Sequence, residues 1–245
     1  MTAYFGIFKE PRGLIRLLQF IFAIFAFATA CNGSSSLYIN NTSGQQLATA
    51  DWSYPYNLKN TPISYANNTD SGQSLSSSND IKSSAEFFVF TGVTSMLLSF
   101  AFAILYVIMD RQYRNDERFP IVDLFITVIW TIFWIAGSSA WAQGVSNIRS
   151  QTSWSNAAKL LPDCSPNNAN CPSGSSGTYA NVIVSVIFGF LNFFLWASCI
   201  WFVYKETKFF KSRTAQQQPQ QNNFSNIGPS GMHQPSNTQM PGSMG

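Results

Sequence analysis

The chain has 245 residues, of which 46% are hydrophobic and only 10% charged, with a formal net charge of +3. Soluble domains carry about 25% charged residues, so a water-soluble core of this size is excluded. The mean hydropathy of +0.03 conceals the reason, because very polar joints separate four very apolar runs.

The first run, Leu14 to Cys31, is preceded or opened by Lys9, Arg12 and Arg16, as the core of a signal peptide would be. It exceeds the usual apolar length of about 7 to 15 residues, and Cys31-Asn32-Gly33 is a poor cleavage site. We read it as a retained span. About 20 apolar residues in a helix cross a hydrocarbon core about 30 Å thick, and no water is present there to satisfy bare backbone groups. The same argument predicts spans over 87–109, 121–141 and 182–204. The predicted fold class is therefore an all-α membrane protein, a bundle of four transmembrane helices. Residues 1–13 form an N-terminal segment, 14–204 the four-span domain and 205–245 a basic stub and tail.

The loop 32–86 is rich in Asn and Ser and contains the sequons at Asn32, Asn40, Asn41 and Asn67. Asn40, Asn41 and Asn67 are glycosylation candidates; Asn32 lies too close to the membrane. A sequon at Asn223 in the tail shows that such triplets also arise by composition.

Ser83-Ser-Ala-Glu86 reads as a capping box opening the second span, with Ser83 as cap and Glu86 reaching back. A proton or cation site at Glu86 is the alternative. Within that span Ser95 and Ser99 share a helix face, as do Ala26 and Ala30 in the first, Ala136, Ala140 and Gly144 in and beyond the third, and Ser185 and Gly189 in the fourth. Small residues four apart permit close backbone approach and mark helix-packing candidates. Pro120 and Asp123 suit the first turn of the third span, where a carboxylate faces the positive end of the helix dipole. Trp130, Trp134 and Trp141 form a stripe read as packing or interfacial anchoring.

The loop 142–181 carries Cys164 and Cys171, read as a disulfide in an oxidising compartment, while Cys31 and Cys199 belong to spans. Zinc would need about four ligands, and His233 lies across the membrane from that pair. In the fourth span Asn192 is the lone amide, predicted to hydrogen-bond across helices. No Asp, Glu, Lys, Arg or His falls in 87–109 or 182–204, which weakens a transporter or pump.

Basic residues gather before the first span, in the joint at Arg111, Arg114 and Arg118, and at Lys205, Lys208, Lys211 and Arg213 after the fourth. The positive-inside rule then makes both termini cytoplasmic and the two longer loops luminal or exterior. The last cluster suits anionic lipid and calls for no nucleic acid. From Thr214 onward the chain is Gln, Asn, Pro, Ser, Gly and Met, the composition of a disordered tail.

Several stretches point to a family. Phe8-Lys-Glu-Pro-Arg-Gly13, the run Leu17 to Thr29, Ser83-Ser-Ala-Glu-Phe-Phe-Val89, Ser138-Ser-Ala-Trp-Ala142 with Gly144, Phe188-Gly-Phe-Leu-Asn192, Trp201-Phe and Lys205-Glu-Thr207 closely resemble the synaptophysin family, in order from Phe8 to Lys208. The resemblance implies a MARVEL-type four-helix bundle of synaptic or other small transport vesicles. It implies cholesterol binding, self-association and engagement of the vesicle SNARE synaptobrevin in vesicle formation, exocytosis and endocytic retrieval, with no catalytic role and no cofactor.

The chain departs from the family in two places. Family members carry a cysteine pair in the first long loop, whereas residues 32–85 contain none. The tail lacks the family's repeated tyrosines, which puts tail-dependent sorting and tyrosine phosphorylation in doubt. The alternative function is an oligomeric channel or transporter, with a pore lined by Asn192, Ser95 and Ser99. Junctional adhesion is a third reading, but the claudin Gly-Leu-Trp motif is absent.

Overall fold

The computed structural model describes residues 11–66, 70–75, 81–115, 118–162, 164 and 170–207. Helix α1 spans Pro11–Cys31, α2 Ile81–Asn115, α3 Arg118–Gln151, α4 the short Trp154–Ala158, and α5 Ala180–Glu206. The four long ones are each long and apolar enough to cross a membrane. Proline at the first turn of α1 fits, because the N–H it lacks is unsatisfied there anyway.

Two helices run past the predicted spans. α2 has 35 residues and α3 has 34, each roughly 50 Å long at 1.5 Å per residue and thus longer than a hydrocarbon core. One consequence corrects the capping box. Helix α2 is already formed at Ile81, so Ser83 and Glu86 lie inside its first turns and not at its boundary. Glu86 instead faces Lys82 at 3.7 Å, a half-exposed pair one turn apart that contributes little.

Around the bundle, α1 packs against α2 and α5, and α3 packs against the other flanks of those two helices. α1 and α3 therefore face each other across the diagonal. The polarity is inverted relative to a soluble bundle. Ser95, Ser99, Thr91, Thr127, Ser138, Ser185 and Asn192 are buried, whereas Leu97, Phe125, Ile132, Ile187 and Phe194 face outward. Hydrocarbon solvates the outer apolar face, and the polar groups must find partners inside.

The small residues divide between these two faces. Ala26, Ala30, Ser95, Ser99, Ser185 and Gly189 lie inside the bundle. On α3 the inward face is Trp134, Gly137, Ser138, Trp141 and Gly144, while Ala136 is exposed and Ala140 half-buried. The reason is angular: the frame is set by the buried tryptophans, and Ala136 falls between them on the outer side.

The two long segments between the spans, expected as loops, hold a fold of their own. Strands β1 (Ser34–Asn40), β2 (Gln46–Ser53), β3 (Pro62–Tyr65), β4 (Asp70–Ser74) and β5 (Ser173–Ser175) form one sheet in the order β4-β3-β2-β1-β5. All pairings are antiparallel, and β5 comes from the second long loop. Alternation buries Leu37 and Ile39 on β1 and Ala48, Ala50 and Trp52 on β2. These residues share one continuous core with Tyr56, Ile81, Trp141 and Val182, so the sheet is packed onto the end of the bundle. The cysteine-free first loop is thus held by hydrogen-bonded strands and by packing. In the second loop Cys164 and Cys171 are disulfide-bonded, with Cα atoms 5.6 Å apart.

Gly189 shows how tightly the helices approach. A Cβ there would sit 2.6 Å from Phe88 Cε2 and 2.6 Å from Ser138 Oγ, meeting α2 and α3 at once. Gly189→Val should lower the stability of the folded bundle by about 1–3 kcal/mol, while Ala136→Val on the outer face should change it little. Unfolding in mixed detergent and SDS micelles measures both.

Candidate functional site

The most unusual chemistry of the bundle surrounds two side chains that read from the sequence as helix-edge residues, Arg16 and Asp123. Arg16 and Asp123 are 0% and 1% exposed and form an ion pair across the diagonal, from α1 to α3. The sequence reading used Arg16 as a flanking positive charge and Asp123 as a helix-dipole partner. Both instead lie in the core.

Arg16 engages both terminal nitrogens of its fork, while Nε has no partner among the described residues. Nη1 donates to Gln19 Oε1 at 3.0 Å, and Nη2 donates to Asp123 Oδ1 and to Thr127 Oγ1, the latter at 2.8 Å. The Thr127 hydroxyl in turn donates to Asp123 Oδ1 at 3.2 Å, and the Tyr106 hydroxyl donates to Asp123 Oδ2. Gln19 Nε2 reaches the Leu195 carbonyl of α5 at 3.3 Å. The guanidinium carbon lies 4.5 Å from the Phe102 ring centroid and 5.2 Å from that of Trp196. Every long helix therefore contributes to one charged layer. Such a pair survives in low dielectric only with further hydrogen bonds to the ions, and here Gln19, Thr127 and Tyr106 supply them.

Nearer the sheet, tryptophans replace charges. Trp134 Nε1 donates to Ser95 Oγ at 3.1 Å, and Trp141 Nε1 donates to Ser185 Oγ at 2.8 Å. Ser185 passes its own proton to the Val182 carbonyl at 2.7 Å. Of the serines that small-residue spacing picks out, Ser95 and Ser185 thus act as indole acceptors as well as small contacts, while Ser99 Oγ has no partner among the described residues. Asn192 departs from its prediction: Nδ2 donates to the Phe188 carbonyl of its own helix at 2.8 Å, and Oδ1 has no partner among the described residues. A carboxamide on an α-helix finds the carbonyl one turn back within easy reach.

At the sheet end, Tyr56 is 1% exposed and its hydroxyl donates to the Ala30 carbonyl at the end of α1. Its ring lies 5.1 Å from Trp141, and Trp52 stacks on Tyr179 at 5.7 Å. Burial pushes the Tyr56 hydroxyl well above its ordinary pKa, so it remains a donor. Asn40 ends β1 beside Ser173, whose hydroxyl oxygen lies 3.5 Å from Asn40 Nδ2. The Asn41 side-chain oxygen accepts from the Ser43 and Gln45 amides at 2.9 and 3.0 Å and so shapes the β1–β2 turn. Asn67 lies outside the described residues.

Two signals for the charged layer were present in the sequence. Arg16 and Asp123 already fall within the runs 14–31 and 121–141, and they carry opposite charges near the same end of the bundle. Nothing local, however, distinguishes an arginine that snorkels to the interface from one that points inward.

The arrangement ties all four long helices together through buried polar contacts. A model of the MARVEL membrane-associating domain matches residues 7–202, and the chain belongs to that family. It is a multi-pass membrane protein. Trp141→Phe keeps the ring and removes the indole donor, leaving Ser185 without it. The loss should be about 1 kcal/mol, with a larger loss for Trp141→Ala, both read from unfolding in mixed micelles.

Proposed function

We propose that this MARVEL-family protein is a synaptophysin-like organiser of small transport-vesicle membranes, working without catalysis by lateral contact with lipid, sibling copies and the vesicle SNARE synaptobrevin. The reading rests on the quoted motifs. One structural observation supports the mode of action: every long helix turns its polar groups inward and offers the membrane an apolar outer face. A surface of that kind contacts lipid tails and other spans.

In this reading both termini are cytoplasmic and the sheet lies in the vesicle lumen, where the disulfide and the glycans at Asn40, Asn41 or Asn67 belong. The basic residues flanking the helix ends support that orientation. Cholesterol is a proposed lipid partner.

The channel reading loses its stated lining. Ser95, Ser99 and Asn192 are 0% exposed within a single bundle whose centre is filled by Trp134, Trp141, Trp196 and Phe88. A pore between copies would be lined by other residues.

Crosslinking of a tagged copy in mildly solubilised vesicle membranes tests the proposal. Homo-oligomers and a synaptobrevin adduct are expected, with the tag co-migrating with vesicle markers. Residence at the plasma membrane with neither adduct would overturn it.

A further inference from the structure

A groove of about 340 Å³ runs along the seam between α1 and α2 at the end of the bundle that holds the charged layer. Leu17 and Phe20 line it from α1, and Phe100, Ala103, Ile104 and Val107 from α2. The Phe20 and Phe100 rings meet at 5.9 Å, and all of these residues fall within the two candidate spans. Its remaining wall comes from Ile108 and from Arg16, whose guanidinium hydrogen-bonds inward to Gln19, Asp123 and Thr127. The groove is therefore greasy, at membrane depth and one side chain away from the buried ion pair.

The positions one helical turn beyond it, toward the nearer membrane surface, are Arg12 on α1 and Arg111 on α2, with Asp110 beside the latter. An apolar slot with two arginine positions just outside it matches one kind of amphiphile, an acyl chain attached to an anionic head group. We propose that this seam is a binding site for one anionic glycerophospholipid, its acyl chain filling the groove and its phosphate lying at the level of Arg12 and Arg111. Cationic side chains near a bilayer surface attract such head groups. A sterol fits less well, because within the groove its hydroxyl would meet only apolar side chains and an arginine that is 0% exposed. The lipid would also seal the seam, keeping water from the charged layer behind it. The inference rests on the chain spanning a membrane, so it stands or falls independently of the vesicle role.

A phosphatidylserine carrying a mid-chain diazirine, incorporated with the full-length protein into phosphatidylcholine nanodiscs, tests this by peptide mapping after photolysis. Adducts should concentrate on 17–20 and 100–107, several-fold above those on the outward residues Phe125, Ile132, Ile187 and Phe194. Ala103→Phe, which fills the groove, should remove that excess. Arg12→Gln with Arg111→Gln leaves the walls intact and should abolish the preference for the serine head group over a choline probe. Adducts spread evenly over all outward faces of the wild-type protein would overturn the proposal, as would an unchanged head-group preference in the double variant. Displacement of the phospholipid by cholesterol at equal concentration would overturn it in favour of a sterol site.

Discussion

Taking a guanidinium and a carboxylate out of water costs several kcal/mol per ion, and in hydrocarbon no later hydration recovers it. Arg16 and Asp123 bear that cost at the centre of this bundle, and the surrounding structure is arranged around it. They sit on α1 and α3, helices that flank the same two neighbours and meet only across the diagonal. The pair can form only when α2 and α5 are also in place, because Tyr106 and Phe102 come from the one and Trp196 and the Leu195 carbonyl from the other. Helix register is consequently specified by polar geometry at this end. Apolar surface alone does not supply that specificity, since lipid solvates it as well as a neighbouring helix does.

The opposite end uses different physics. There the bundle is capped by a sheet that draws β5 from one loop against β1 from the other, so two segments distant in sequence close one structure. Tyr56 joins the two halves, donating to the end of α1 and packing on Trp141. Between the ends, indole-to-serine hydrogen bonds from α3 to α2 and α5 replace the ion pair with neutral partners. A charged layer, a tryptophan layer and a hydrogen-bonded sheet thus follow one another along the bundle axis.

The spans were legible in the sequence because length and apolarity alone set them, and the structure contains all four. Legibility fell wherever direction mattered. Arg16 and Asp123 read as edge residues, since primary sequence does not show which way a side chain turns from its helix. Ser83 and Glu86 matched a capping box that α2 overruns. Ala136 carried the right spacing on the wrong face, because Trp134 and Trp141 set the inward side. The sheet escaped notice because its strands are short and made largely of Ser, Thr, Asn and Ala. Its period-two signal, Leu37 with Ile39 and Ala48 with Ala50 and Trp52, is confined to a few positions.

A filled core, an apolar exterior and an internal charge with its partners in place describe a body built to persist in a membrane and to be contacted from the side. Its central claim is that the diagonal ion pair couples α1 to α3 energetically. A double-mutant cycle with Arg16→Met, Asp123→Leu and both together, read as unfolding free energy in mixed detergent and SDS micelles, measures that coupling directly. Each single change should cost about 3–5 kcal/mol by stranding the other charge, and the double variant should cost clearly less than their sum. Losses that add to within about 0.5 kcal/mol would show that the two residues act independently and would contradict the account.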